Sequence, residues 1–111
     1  WLLTGTAYDT ETLAGQALFG GDAVGTDLGH GPAHLIDPRT VKKISAALEA
    51  LPASEVAARV DFEAMRGADI YPGFWDEQDV FHTWLRPRYK DLRKFYRRAA
   101  RASSAVLVAI L

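Results

Sequence analysis

Ala33-His34-Leu35-Ile36-Asp37-Pro38-Arg39-Thr40-Val41 is the stretch on which the fold turns. Ala33 to Ile36 reads as a short strand running straight into a helix. Asp37 is placed as the N-cap, its carboxylate taking a free amide, and Pro38 follows at the first helical position, where a missing N–H costs nothing. Val41, Ile44, Leu48 and Leu51 then recur at helical spacing and mark an apolar stripe. Pro52 and Ser54 punctuate the chain and restart a second helix with Val56, Ala57 and Val60 inward. Asp61 caps one more turn through Phe62 and Met65, which ends at Gly67. The expectation is a pair of helices packed on a flat layer.

Upstream, residues 1–10 read as a short apolar stretch with a turn around Thr4-Gly5-Thr6, and Leu13, Ala17 and Leu18 outline a weak helical face. Gly20, Gly21, Gly25, Gly29 and Gly31 make the next segment a glycine-rich loop, with neither the spacing of a dinucleotide fingerprint nor that of a P-loop. Downstream, Ile70 to Trp75 is a Pro-Gly turn, and Asp76, Glu77 and Asp79 open another helix, where negative charge suits the dipole. Phe81, Leu85, Tyr89, Leu92, Phe95/Tyr96 and Ala99 continue one helical stripe. Pro87 sits inside that stripe and predicts a kink or break near Arg86. Ser103-Ser104 ends the helix, and Ala105 to Leu111 reads as a buried strand. The fold class is therefore α+β: a small, mostly antiparallel sheet packed against several helices, with a C-terminal strand after a long basic amphipathic helix.

The chain has 111 residues, the usual size of one domain, so residues 1–111 are expected to form a single unit. It contains no cysteine, which excludes a disulfide scaffold, a cysteine zinc site, an iron–sulfur centre and thiol catalysis. No apolar run approaches the roughly 20 residues of a membrane span, and no basic-then-apolar leader opens the chain, so a soluble cytoplasmic protein is expected. Trp1-Leu2-Leu3 looks like the middle of an element, and the expectation is that residues precede it. The net charge of −1 hides a split. Residues 1–85 carry five basic and 13 acidic side chains, whereas residues 86–111 carry eight basic and one acidic.

That split puts a cationic ridge on the last helix: Arg86, Lys90, Arg93, Lys94, Arg97 and Arg101 gather opposite its apolar stripe. The ordinary reading is a solvated face whose cations also suit the helix C-terminus. As a binding surface it suits an acidic protein partner or self-association. Nucleic acid fits less well, because the aromatics of this helix are expected to face the core rather than interleave the ridge. Tyr71, Phe74 and Trp75 form a second candidate partner surface, although an aromatic cluster beside a turn more often pins that turn to the core.

His30 and His34 are the candidate metal ligands, with Asp37 the nearest third group, but Asp37 is already engaged as a helix cap and His82 belongs to another helix. No cofactor is expected. The serines lack a nucleophile elbow, and the Asp76–Asp79 carboxylates sit where the helix dipole lowers their pKa, which does not suit a general acid. The favoured reading is a non-enzymatic interaction or regulatory module. The alternative is a small-molecule or metal-dependent enzyme with its pocket at the glycine-rich loop.

Trp1-Leu2-Leu3-Thr4-Gly5, the Gly29-His30-Gly31-Pro32-Ala33 loop leading to Asp37-Pro38, Ile70-Tyr71-Pro72 with Trp75, and an aromatic helix before a final apolar strand occur here in sequence. In that order and spacing they resemble the YfbM-like family, a bacterial family of unknown function, over nearly the whole chain. The resemblance implies a small α+β domain with an additional strand and helix ahead of Trp1, and it implies no activity. Where relatives usually have an aromatic and a basic residue, this chain has His30 and His34.

Overall fold

The computed structural model describes residues 3–4, 9–68 and 85–111. They form α1 (Leu13–Phe19), β1 (Asp22–Val24), β2 (Ala33–Ile36), α2 (Pro38–Glu49), α3 (Ala53–Ala58), α4 (Phe62–Gly67), α5 (Arg86–Arg101) and β3 (Val106–Val108). The Tyr71–Trp75 turn, the acidic helix start at Asp76, Glu77 and Asp79, and His82 lie outside the described residues. The three strands make one antiparallel sheet in the order β1-β2-β3, which places the fold in the α+β class.

Local chemistry starts α2 as the sequence predicts. Asp37 Oδ1 accepts from the Thr40 amide at 2.9 Å, Oδ2 accepts from the Thr40 hydroxyl at 2.7 Å, and Pro38 opens the helix. These donors hold the Asp37 carboxyl below its ordinary value, the Thr40 amide contributing most. Asp61 repeats the device, accepting from the Ala64 amide at 2.9 Å. In α1, Thr12 caps the helix by accepting from the Gly15 amide.

Val41, Ile44 and Leu48 of α2 are fully enclosed, and Ile36, Val56, Tyr89, Tyr96 and Val106 join them in one core. The partner of α2 differs from expectation. Its apolar face packs most extensively against α5, far along the chain, rather than against a flat layer. Two tyrosines fasten that packing. The Tyr89 hydroxyl donates to the Leu48 carbonyl in the last turn of α2 and the Leu51 carbonyl just beyond it, and the Tyr96 hydroxyl donates to the Ala17 carbonyl of α1 at 2.6 Å.

Three further expectations are revised. The glycine-rich loop contains a strand, β1, paired from Asp22–Val24 to Leu35–Ala33. Leu13 and Leu18 of α1 are exposed, and only Ala17 of the expected trio is buried. Pro87 lies in the first turn of α5, so the break read near Arg86 coincides with the start of the described helix, and the stripe ahead of Leu85 lies outside the described residues. The C-terminal strand is three residues long rather than seven. Val106 is buried, but Leu107, Ile110 and Leu111 are exposed, because β3 packs one face only and pairing with β2 ends at His34.

Gly21 is required where it stands. Its φ is +93°, and a Cβ there would lie 2.7 Å from the carbonyl carbon and oxygen of Leu35, so the chain can turn into β1 only with glycine. α5 ends in a Schellman arrangement. The Ser104 amide donates to the Ala99 carbonyl at 2.9 Å and the Ser103 amide to the Ala100 carbonyl at 3.2 Å, with Ser103 itself at φ 51°.

Candidate functional site

The cationic helix divides in two. Arg93 and Arg97 turn toward α2 and share Glu49: Arg97 Nη2 meets Oε1 at 2.6 Å and Arg93 Nη2 meets Oε2 at 3.2 Å. The Arg93 guanidinium also lies over the Tyr89 ring, 5.7 Å from its centroid. The bond from Arg97 chiefly, with the charges of Arg97, Arg93 and Arg101 adding, holds the Glu49 carboxyl below its ordinary value. Two of the six expected ridge residues thus serve the α2–α5 contact, and they are structural before they are anything else.

Arg86, Lys90, Lys94 and Arg98 remain exposed, and none of them forms an ion pair among the described residues. They stand four residues apart along α5, a row of cations about 6 Å from step to step. Arg101 is exposed beside them, close enough to lower the Glu49 pKa. The one carboxylate of this helix, Asp91, is paired with Arg88 at 3.6 Å instead. Arg98 was absent from the expected ridge, although its i+4 relation to Lys94 is a sufficient signal. Phe95 corrects a second expectation. It is 54% exposed and meets Tyr96 edge-on at 5.6 Å, so one aromatic does flank the cations while Tyr96 takes the core position.

The second candidate lies where α1 meets the end of the sheet. Side chains alternate along β2, so His34 and Ile36 share the face that α1 and α2 cover, next to their cross-strand partners Val108 and Val106. Ile36 and Val106 are core; one register step on, the packing opens into a cavity of about 230 Å³. Leu18 and Phe19 of α1, Pro32, His34, Val108 and Ile110 contribute to its wall, and His30 reaches it from the loop. That loop is organised by Asp27, whose Oδ1 accepts from the Gly29 amide at 2.6 Å and the Gly31 amide at 3.2 Å. His30 lies in this loop and not on the strand, yet it reaches the same cavity as His34.

Asp37 does not. It stays at its cap position, outside this wall. No group of three or more histidine, aspartate or glutamate side chains able to hold a metal occurs among the described residues. His34 Nδ1 lies 3.2 Å from the Gly21 carbonyl oxygen. A carbonyl can only accept, so Nδ1 carries the proton, and in the neutral ring Nε2 is left as an acceptor.

No helix among the described residues is long and apolar enough to cross a membrane. Residues 1–109 match the model of the family described as Domain of unknown function (DUF1877). No curated protein and no solved structure matches the chain.

Proposed function

The chain belongs to the DUF1877 family of domains of unknown function, and we propose that it is a non-enzymatic binding module that docks an acidic protein surface on α5. The observation that carries this reading is the row Arg86, Lys90, Lys94 and Arg98, four exposed cations at i,i+4 spacing with no internal counter-ion among the described residues. Like charges at this spacing destabilise a helix by roughly 0.2–0.5 kcal/mol per pair. Apart from Arg98, which suits the negative end of the helix dipole, they find no internal partner among the described residues, whereas an acidic partner relieves the repulsion on contact. Phe95 supplies the apolar anchor that such interfaces place beside their charges. Tyr71 and Trp75 extend the same proposal. The resemblance to YfbM-like proteins supports a bacterial source for the module.

Native mass spectrometry of the full-length protein, gently purified from its own source, tests the reading against a Lys94→Glu variant. A polypeptide partner at fixed stoichiometry is expected with the wild-type chain and at least tenfold depleted with the variant. A bare monomer, nuclease-sensitive material in place of protein, or a partner held equally by Lys94→Glu overturns it. A second copy of the chain, lost in the variant, identifies self-association as the form the contact takes.

A further inference from the structure

We propose that the cavity between α1 and the His34 end of the sheet is a binding site for a small, apolar-bodied molecule bearing one acidic O–H, a carboxylic acid or a phenol, held at His34 Nε2. This site is independent of the α5 reading and involves none of its residues.

The argument begins with what surrounds the cavity. Its wall is mostly apolar, built from Leu18, Phe19, Pro32, Val108 and Ile110, with the imidazoles of His30 and His34 and the Thr10 hydroxyl as its polar side chains. Small-molecule sites have this make-up, a greasy wall with a few placed polar groups. The volume of about 230 Å³ lies below the roughly 300–1,000 Å³ of drug-sized sites, so the occupant is fragment-sized. Among the described residues no lysine or arginine lines the cavity, which disfavours phosphates and multiply charged anions, and no carboxylate lines it, which disfavours amines.

His34 narrows the class further. It occupies a position on the core face of β2, one step from Ile36 and Val106, where an aliphatic side chain would simply extend the core. Its Nδ1–H is anchored on the Gly21 carbonyl, and Nε2 has no hydrogen-bond partner among the described residues. Nε2 is not enclosed, and beside an apolar wall it is an acceptor that a ligand O–H can reach. An O–H donates to Nε2, and a carboxylic acid can pass its proton across that bond. The imidazolium so formed keeps its Nδ1–H on the Gly21 carbonyl and pairs with the carboxylate. The exposed side chains of Leu18 and Ile110 at the cavity give the hydrocarbon body apolar surface to cover.

The test uses benzoic acid and p-cresol as probes, titrated separately into the isotopically labelled full chain and followed by NMR. The readouts are the long-range imidazole ¹H–¹⁵N signals and the methyl groups of Leu18, Val108 and Ile110. Saturable shifts at His34 Nε2 and at those methyls are expected, with a dissociation constant on the order of 1 mM, as befits a fragment. His34→Gln should weaken binding at least tenfold. Val108→Phe, which fills the cavity, should abolish the ligand shifts while the Nδ1-protonated state of His34 persists. Response to benzoic acid alone identifies carboxylates as the source of the ligand, and response to p-cresol alone identifies phenols. No saturable shift with either probe, or shifts that survive both substitutions, overturns the proposal. Lys94→Glu should leave the titration unchanged, so failure here and failure of the α5 reading are told apart.

Discussion

Tyr96 shows how much one side chain can join. Projecting from α5 into the core, it is 1% exposed, and its hydroxyl donates to the Ala17 carbonyl of α1. Burial pushes its pKa up to about 12. The unfolded chain ionises tyrosine near its ordinary value of 10.0, so the stability tied to this residue is complete below that pH and drains away as pH rises toward about 12. Tyr96→Phe should cost about 1–2 kcal/mol at neutral pH, because the Ala17 carbonyl loses its donor. It should also remove this residue's share of the alkaline decline, which urea unfolding at successive pH values reads directly. Glu49 behaves in the opposite sense. Its carboxyl is held below the ordinary range by the Arg97 bond first, so its contribution is full at neutral pH and is lost as pH falls through the depressed folded value. Glu49→Gln should flatten the acid limb of the stability profile, with the change confined to that limb and to a uniform offset.

At the scale of elements, α5 ends on a residue that a better sequence would replace. Ser103 holds the left-handed position of a Schellman turn, which glycine occupies without steric cost. Ser103→Gly should stabilise the protein by about 0.5–1 kcal/mol, since the strain relieved outweighs the entropy that glycine adds to the unfolded chain. Thermal unfolding checks it, and a lowered midpoint would mean that the serine side chain contributes something its position does not reveal. The start of α5 makes the complementary point. Pro87 is tolerable because it falls in the first turn, so the same residue that reads as an interruption of a long stripe marks where the described helix begins.

Across the whole molecule, charge is arranged around the α2–α5 contact in two layers. The inner layer, Arg93 and Arg97 on Glu49, closes the fold; the outer row, Arg86, Lys90, Lys94 and Arg98, opposes it. Lys94→Glu converts two repulsive i,i+4 relations, to Lys90 and to Arg98, into attractive ones. It should therefore raise unfolding stability by up to about 1 kcal/mol at low salt. A variant that folds better and loses its partner is the signature of a surface kept for binding at the expense of stability. A variant that is no more stable at low salt would show that the row is not self-repulsive.

The sequence by itself determined the elements whose causes are local. The strand at Ala33–Ile36, the Asp37-Pro38 start of α2 and the Asp61 cap could be read directly, because a cap or a stripe is fixed by residues within a turn of one another. The cationic helix was legible for the same reason. The tertiary structure alone decided which cations stay free, since only the approach of Glu49 on α2 separates Arg93 and Arg97 from Lys90 and Lys94. It also decided that Phe95 is exposed while Tyr96 is buried, a choice of 100° on one helix that depends on where α2 lies. β1 was hidden among glycines because three exposed residues form a strand only when β2 offers its edge. His30 and His34 come to one cavity through the Asp27-organised loop and the sheet register, not through their spacing in the chain. Long-range packing sets these outcomes, and a pattern of near neighbours carries no record of it.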